Sequence, residues 1–557
     1  MNDSSGRRAA LPEPTATGRG RWLGLLLLSL GLSMIVVDAT IVNVAVPSIV
    51  RDLKLDGSAA EWIVSIYPLV FAALLISFGR FGDVAGRRRL FLLGLVIFTV
   101  GSVLAGLAPS GLTLIGARVL QGVGGAAIAP ATQSILNTTF RGRDRAIAFG
   151  IYGSVIGGMA ALGPLLGGWL TTNLSWRWAF YINVPIALVV IVGSLLWIRE
   201  SRDEDARSGF DPAGFLLITL GLGAIVFALI EGYRYGWLAP SRPFVLLGAT
   251  WPFGAISIIP VAVLAGLASL VAFAVVELRR KRAGLFYLFD FDLWREPTFR
   301  FGNLTATIVS LGEFGLLFAL PLFLQAVIGY TAFETGLVFL TLAAGSFVAA
   351  PLAGVLAGRF EPRRTVQIGM LLEVVGILGV TLLLSKTVSG LTLALPFFLY
   401  GMGVGFSTAQ LANVILSDIP PERSGLASAT NSTMRQVGTA LGSAILGTVL
   451  LVGLNTGTHD RLTQVPGLQP AQQQAIATAI EESAGQALVG LRSEPAAQAA
   501  VGPVEDAFVA AARTVGFVAA GFMGLGLAFS LLLPSLRASQ PRRVAEPVDV
   551  ARRAEAA

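Results

Sequence analysis

The chain has 557 residues, 54% of them hydrophobic and only 13% charged, with 65 glycines and a mean hydropathy of +0.74. A water-soluble fold of that length cannot hide so much apolar surface, so lipid is the solvent for most of it. The absence of cysteine excludes disulfide and thiolate chemistry, and a single histidine (His459) argues against a histidine-rich metal site. The net charge of +7 sits mostly in short turns between apolar runs, which points to membrane topology and away from nucleic acid.

The polar start, with Arg7, Arg8, Arg19 and Arg21, leads into an apolar run too long for a signal-peptide core, which reads as a retained first span. Crossing a bilayer takes about 20 helical residues. Runs of that order predict spans at roughly 22–47, 61–81, 89–108, 111–139, 145–172, 178–198, 212–231 and 258–278. A second series follows at roughly 299–327, 334–357, 364–385, 390–416, 424–452 and 507–534. Alternate turns are rich in arginine: Arg80/Arg87/Arg88/Arg89, Arg141/Arg143/Arg145, Arg199/Arg202/Arg207, Arg279/Arg280/Lys281/Arg282 and Arg359/Arg363/Arg364. The turns between them hold few basic residues, so the arginine-rich set and both termini are expected in the cytoplasm. The run from Pro243 to Val276 is longer than one span and is broken at Pro252 and Pro260. Either a re-entrant or interfacial segment or one long tilted helix would fit it. Residues 453–505 form a polar external segment in which Gln472–Leu488 has helical propensity. It reads as a helical cap or as a solvated loop.

The densest charge lies between spans two and three, in Gly79-Arg80-Phe81-Gly82-Asp83-Val84-Ala85-Gly86-Arg87-Arg88-Arg89. The spacing resembles the cytoplasmic loop signature of the major facilitator superfamily. Gly79-Arg80-Phe81 recurs as Gly358-Arg359-Phe360, and Gly122-x-Gly124 as Gly401-x-Gly403, both at a shift of 279 residues. Two motifs sharing one shift imply two six-helix halves in parallel orientation with a helix pair between them. Six plus two plus six resembles the 14-helix drug:proton antiporter branch of that superfamily. The expected fold is therefore an all-α polytopic membrane protein with two pseudo-symmetric bundles, 22–200 and 299–534. The two extra helices lie in a 201–298 linker, and tails span 1–21 and 535–557. The resemblance implies that Asp83 and Arg87, with Arg88, latch the halves together on the cytoplasmic side, while Gly79 and Gly86 permit the close approach.

Charges inside spans cost roughly 2.5–3.5 kcal/mol each on insertion scales and are functional candidates by default. Asp38, in Val36-Val37-Asp38-Ala39-Thr40-Ile41-Val42-Asn43, is similar to the first-helix signature of the 14-helix antiporters. Arg118, in Arg118-Val119-Leu120-Gln121-Gly122, is similar to the fourth-helix signature. The resemblance ties both to proton coupling. Their distances from the span ends put them at similar depth, so contact is geometrically allowed. An aspartate with an ordinary pKa of ~3.9 carries no proton at pH 7; holding one takes about 4 kcal/mol, which burial can supply and a nearby Arg⁺ opposes. An ion pair that only locks helix packing is the alternative. Glu313 and Glu373 in spans nine and eleven could each bind a cationic substrate or a second proton, or face a solvated crevice without a role; with them Asn43, Gln121, Gln325 and Arg435 are candidates for lining the cavity, and Arg435 could neutralise one of the two acids.

Span five carries Gly153, Gly157, Gly163, Pro164, Gly167 and Gly168, small residues four apart followed by a helix-bending proline. Gly163-Pro164-x-x-Gly167-Gly168 resembles the antiporter motif of exporters in the superfamily. Together these features imply export of hydrophobic or cationic small molecules in exchange for protons, by alternating access, from a monomer in the plasma membrane without a cofactor. Export of a lipid, siderophore or self-made metabolite is the alternative within transport. A non-transporting receptor on the same scaffold is the alternative outside it. No nucleotide-binding loop or catalytic constellation is visible.

Overall fold

The computed structural model describes residues 18–140, 162–202, 211–246, 249–253, 255–359, 361–419 and 424–534, with the isolated positions 144, 148 and 159. Its spanning helices are α1 (Gly18–Leu53), α2 (Gly57–Ala85), α3 (Arg87–Leu107), α4 (Gly111–Thr139), α5 (described over 162–173), α6 (Trp178–Trp197) and α7 (Pro212–Tyr235). Beyond these come α8 (Ile258–Arg282), α9 (Pro297–Phe323), α10 (Ala332–Arg359), α11 (Pro362–Leu383), α12 (Gly390–Leu416), α13 (Ser424–Leu462) and α14 (Gln498–Leu531). Among the described residues, thirteen helices are long and apolar enough to cross a membrane. The fifth predicted span lies largely outside the described residues.

Helix starts follow ordinary capping chemistry. Asp56 accepts from Ala59 N at 2.8 Å to begin α2, and Ser110 and Thr113 form a capping box at α4. In the first bundle α4 packs on α2 and α3 while α6 packs on α1 and α3, and α9 to α14 pack together in the second. The bundles meet where α2 lies along α13 and where α1 lies along α9 and α10. Hydrogen bonds between them gather toward the end that carries the α1–α2 turn. Gln325 Nε2 donates to Val44 O at 3.0 Å, Phe333 N to Thr172 Oγ1 at 3.0 Å, and Ser65 and Ser443 share a bond of 2.7 Å. The junction is shut at that end.

The helix pair α7/α8 does not stand apart. Leu222, Val226 and Ile230 of α7 form one buried cluster with Leu69 of α2 and with Ala440 and Ala444 of α13, so α7 covers the seam between the bundles. α8 lies outside it and turns Leu264, Leu267 and Val271 outward.

Two expectations about connections change. The described residues of 243–257 form neither one long tilted helix nor part of α8. Strands β1 (Val245–Leu246) and β2 (Ala249–Thr250) pair antiparallel, and Ser257 caps α8 afresh. The break follows from Pro252 and from the supply of a side-chain cap just before Pro260. α13 runs ten residues past the predicted 452, and α14 begins at Gln498, before the predicted 507. Buried Leu454, Thr458 and Leu462 hold the α13 extension, against which the helices Pro470–Glu482 and Ala487–Leu491 and the turn between them pack Ile480, Leu488 and Ala484.

Candidate functional site

Asp38 sits in the middle of α1 and is wholly buried. Arg118 and Gln121 stand three apart on α4 and therefore share a face. Gly101 of α3 lets that face come close: a Cβ there would lie 2.9 Å from Gln121 N. Arg118 Nη1 forms an ion pair with Asp38 Oδ2, while Gln121 Nε2 donates to Oδ1 at 2.7 Å and Asn183 Nδ2 of α6 donates to Oδ1 at 3.2 Å. Ser102 Oγ of α3 accepts from Gln121 at 3.0 Å and from Asn183 at 3.2 Å. Arg118 also donates to Gln121 Oε1 at 3.0 Å and to Ile63 O of α2 at 3.2 Å, and its guanidinium lies 4.6 Å from the Tyr67 ring centroid.

Side chains from α1, α2, α3, α4 and α6 therefore converge on one carboxylate. Every charge is paired and the donors are fixed by their own second contacts, which is what lets an ion pair persist in a low-dielectric interior. Arg118, Gln121 and Asn183 all donate to Asp38, an arrangement that suits the ionised carboxylate, whereas its burial favours the neutral acid.

The predicted pair is brought together, and Gln121 belongs to it. The site residues that sequence reasoning did not pick out are Ser102, Asn183 and Tyr67. Asn183 carries a readable signal, an amide inside an apolar run; Ser102 and Tyr67 carry none.

α5 packs against the same turn of α1. Gly163 lies directly on Thr40, and a Cβ on Gly167 would meet Ile41 Cγ1 at 2.5 Å. On the other side of α5, Gly168 lies on Ala332 of α10, where Gly336 meets Pro164 O, 2.6 Å from its would-be Cβ. The glycine motif thus lets α5 wedge between α1 and α10, one helix from each bundle. Gly153 and Gly157 lie outside the described residues.

The remaining candidates separate. Gln325 joins the bundles through Val44 O. Asn43 donates to Ala39 O at 3.3 Å, and its Oδ1 is buried without a partner. Glu373 is fully buried where α11 crosses α12, lying against Gly403 and accepting from Ser407 Oγ. Its Oε2 and Glu313 Oε1 have no hydrogen-bond partner among the described residues. Arg435 of α13 makes no ion pair with either acid among the described residues, though its charge acts on both.

In the charged turn, Gly86 adopts φ 112°, a region that favours glycine, and a Cβ would lie 2.8 Å from Glu200 Cδ. At Gly79 a Cβ would make only an ordinary contact with Pro130, so close approach does not require that glycine here. Arg88 N and Arg89 N donate to the Glu200 carboxylate at 3.0 and 3.1 Å, Arg88 Nη1 to Ile198 O at 3.0 Å, and Arg87 N to Ser201 O at 3.0 Å. These partners all lie just past α6, within the first half. The Asp83 side chain is outside what is described.

The sequence model of the Major Facilitator Superfamily matches residues 28–443. "Multidrug resistance protein Stp" of Mycobacterium tuberculosis is 33% identical over 84% of this chain and 82% of its own. "Puromycin resistance protein pur8" of Streptomyces alboniger is 35% identical over 83% and 88%, and the "Tetracenomycin C resistance and export protein" of Streptomyces glaucescens is 31% identical over 85% and 84%. Among solved structures, an inward-facing, unoccupied bacterial homologue of the human lysosomal transporter Spinster superposes with a TM-score of 0.59 at 18% identity, over 93% of this chain and 98% of that one.

Proposed function

Because the chain belongs to the major facilitator superfamily, we propose that it exports hydrophobic and cationic small molecules across the cell membrane in exchange for protons. The observation that carries this reading is the buried Asp38–Arg118 pair with the α5 glycine motif packed on the next turn of α1. A rocking of the bundles that moves α5 and α10 relative to α1 disturbs the turn that holds Asp38, which links proton affinity to conformation. The arginine-rich turns support a cytoplasmic position for the α2–α3 end, an orientation in which the shut end faces outward. In this state Asp38 has given its proton to the inside. Compound then binds from the cytoplasm or inner leaflet, the outer end opens, and Asp38 is reprotonated from outside as the compound leaves.

The names of the similar proteins, multidrug and antibiotic resistance proteins, support compounds of that class as substrates. Those named for a single antibiotic favour a narrower second reading, in which the cargo is one natural product. The first reading is tested with a dye, and the second by the same assay with a single antibiotic in its place. In proteoliposomes, an imposed pH gradient should drive accumulation of a lipophilic cationic dye, and a protonophore should abolish it. Dye movement indifferent to the gradient would leave a passive facilitator.

A further inference from the structure

Glu61 lies one turn into α2, at the shut end, and is fully buried. Among the described residues, neither of its carboxyl oxygens has a hydrogen-bond partner. The group presses on the backbone of α13: a Cβ on Gly447 would lie 2.6 Å from Glu61 Oε1. It therefore sits in the seam between the bundles, one turn outward of the Ser65–Ser443 bond.

The charged groups around it do not compensate an anion. α7 brings Glu231 and Arg234, the α2 cap brings Asp56, and the helix Pro470–Glu482 brings Glu481, whose carbonyl lies over Gly57. Arg234 pairs with Asp56 at 3.1 Å and with Glu231 at 3.8 Å, and Trp62 Nε1 donates to Glu231 at 3.0 Å. Arg118 of α4 is engaged with Asp38 and touches α2 only at Ile63 O. The charges that act on Glu61 are those of Glu231 and Asp56, both acidic; α1, α3 and α13 bring none among the described residues. An ionised carboxylate in a buried seam with no protein donor among the described residues and two acidic neighbours is far less stable than the neutral acid.

We propose that Glu61 is a second proton-binding site, distinct from Asp38, that fastens the outer seam. While α2 and α13 are closed it is the neutral acid. When they part, water reaches the group, the O–H bond breaks and the proton passes to external water. On reclosure the proton returns from the same side. Glu61 thus adds nothing to the charge carried across the membrane; it sets the external pH at which the outer end shuts. Acid outside favours closure, because closing requires the proton. The proposal rests on the orientation and alternating access given above.

The absence of native cysteine allows a direct test. Leu112 and Leu391 begin α4 and α12 at the shut end and are 81% and 87% exposed. Spin labels on Leu112→Cys and Leu391→Cys report opening between the bundles by electron–electron distance measurement. The full chain is used on an Asp38→Asn background, so that the coupling carboxylate is silent. The expected result is that the ratio of long to short distances falls at least tenfold as the pH is lowered. Glu61→Gln should hold the short distance at every pH, and Glu61→Asp should keep the titration. A carboxylic-acid C=O band at the closed-state pH, lost in Glu61→Gln, gives a readout independent of opening. An unchanged titration in Glu61→Gln, or none in the Asp38→Asn parent, overturns the proposal. Either result leaves proton coupling by Asp38, measured separately as compound-driven proton flux in the wild type, untouched.

Discussion

Gly163 of α5 lies directly on Thr40 of α1, two residues past Asp38. The Thr40 hydroxyl is fixed by its bonds to Val36 O and Val37 O at 3.0 and 3.1 Å, so it cannot swing away from an added methyl group. Gly163→Ala should therefore push α5 off α1, at an overpacking cost of about 1–3 kcal/mol. Transport should fall strongly, and Thr40→Ala should restore part of it. Gly116→Ala, a position with nothing within 4 Å, is the control and should match the wild type in thermal unfolding and transport.

Removing Arg118 alone leaves a buried carboxylate with no charge partner. Arg118→Ala should cost about 3–5 kcal/mol, read as a lowered unfolding temperature in detergent. The double variant Asp38→Asn/Arg118→Ala should recover much of that stability, since neither charge remains, yet stay inactive in transport. Arg118→Lys should fold but transport poorly. A lysine cannot donate to Asp38, Gln121 and Ile63 O at once or reproduce the face contact with Tyr67.

Glu200 gathers the first amide groups of α3, from Arg88 and Arg89, and fills the space that Gly86 leaves open. Glu200→Ala should cost about 1 kcal/mol, as the loss of a helix cap does, with transport largely retained. Gly86→Ala should be worse, because it combines an unfavourable φ with a clash against the same carboxyl group.

Outside the membrane, burial is the largest effect on Glu481 and raises its pKa above the ordinary value, while a hydrogen bond from Asn455 and the charge of Arg242 oppose the rise. A carboxyl whose folded pKa is raised is bound to its proton more tightly in the folded state. The stability it contributes is present at low pH and is lost as pH rises through that raised value. Unfolding temperature should decline with pH from about 4.5 upward, and Glu481→Gln should flatten that slope.

The sequence makes the apolar runs plain, because a ~20-residue span in lipid tolerates few polar groups. The helix ends were less legible. The continuation of α13 through Asn455, Thr456 and Asp460 is polar and becomes helix only because Leu454, Thr458 and Leu462 find cover in a segment some twenty to thirty residues further along. Asp38 and Arg118 announce themselves as charges in apolar surroundings, and their similar depth allows the pairing. Ser102 did not, since a serine in a membrane helix is unremarked until its partners are known. Glu61 stood at the edge of a run that becomes apolar only from Trp62, where an acid passes for an interfacial residue. Glu200 looked like any acid in a charged turn. In each case the role depends on a contact with a distant helix, which local pattern does not encode.

The central claim is that Asp38 carries the exchanged proton. It is tested by following compound-driven proton movement in proteoliposomes holding either the wild type or Asp38→Asn, alongside equilibrium binding of the same compound. The account predicts that adding compound collapses an imposed pH gradient with the wild type. Asp38→Asn should leave the gradient intact while binding the compound within about tenfold of the wild-type affinity, a difference of at most about 1.4 kcal/mol. Gradient collapse at the wild-type rate in Asp38→Asn would contradict it.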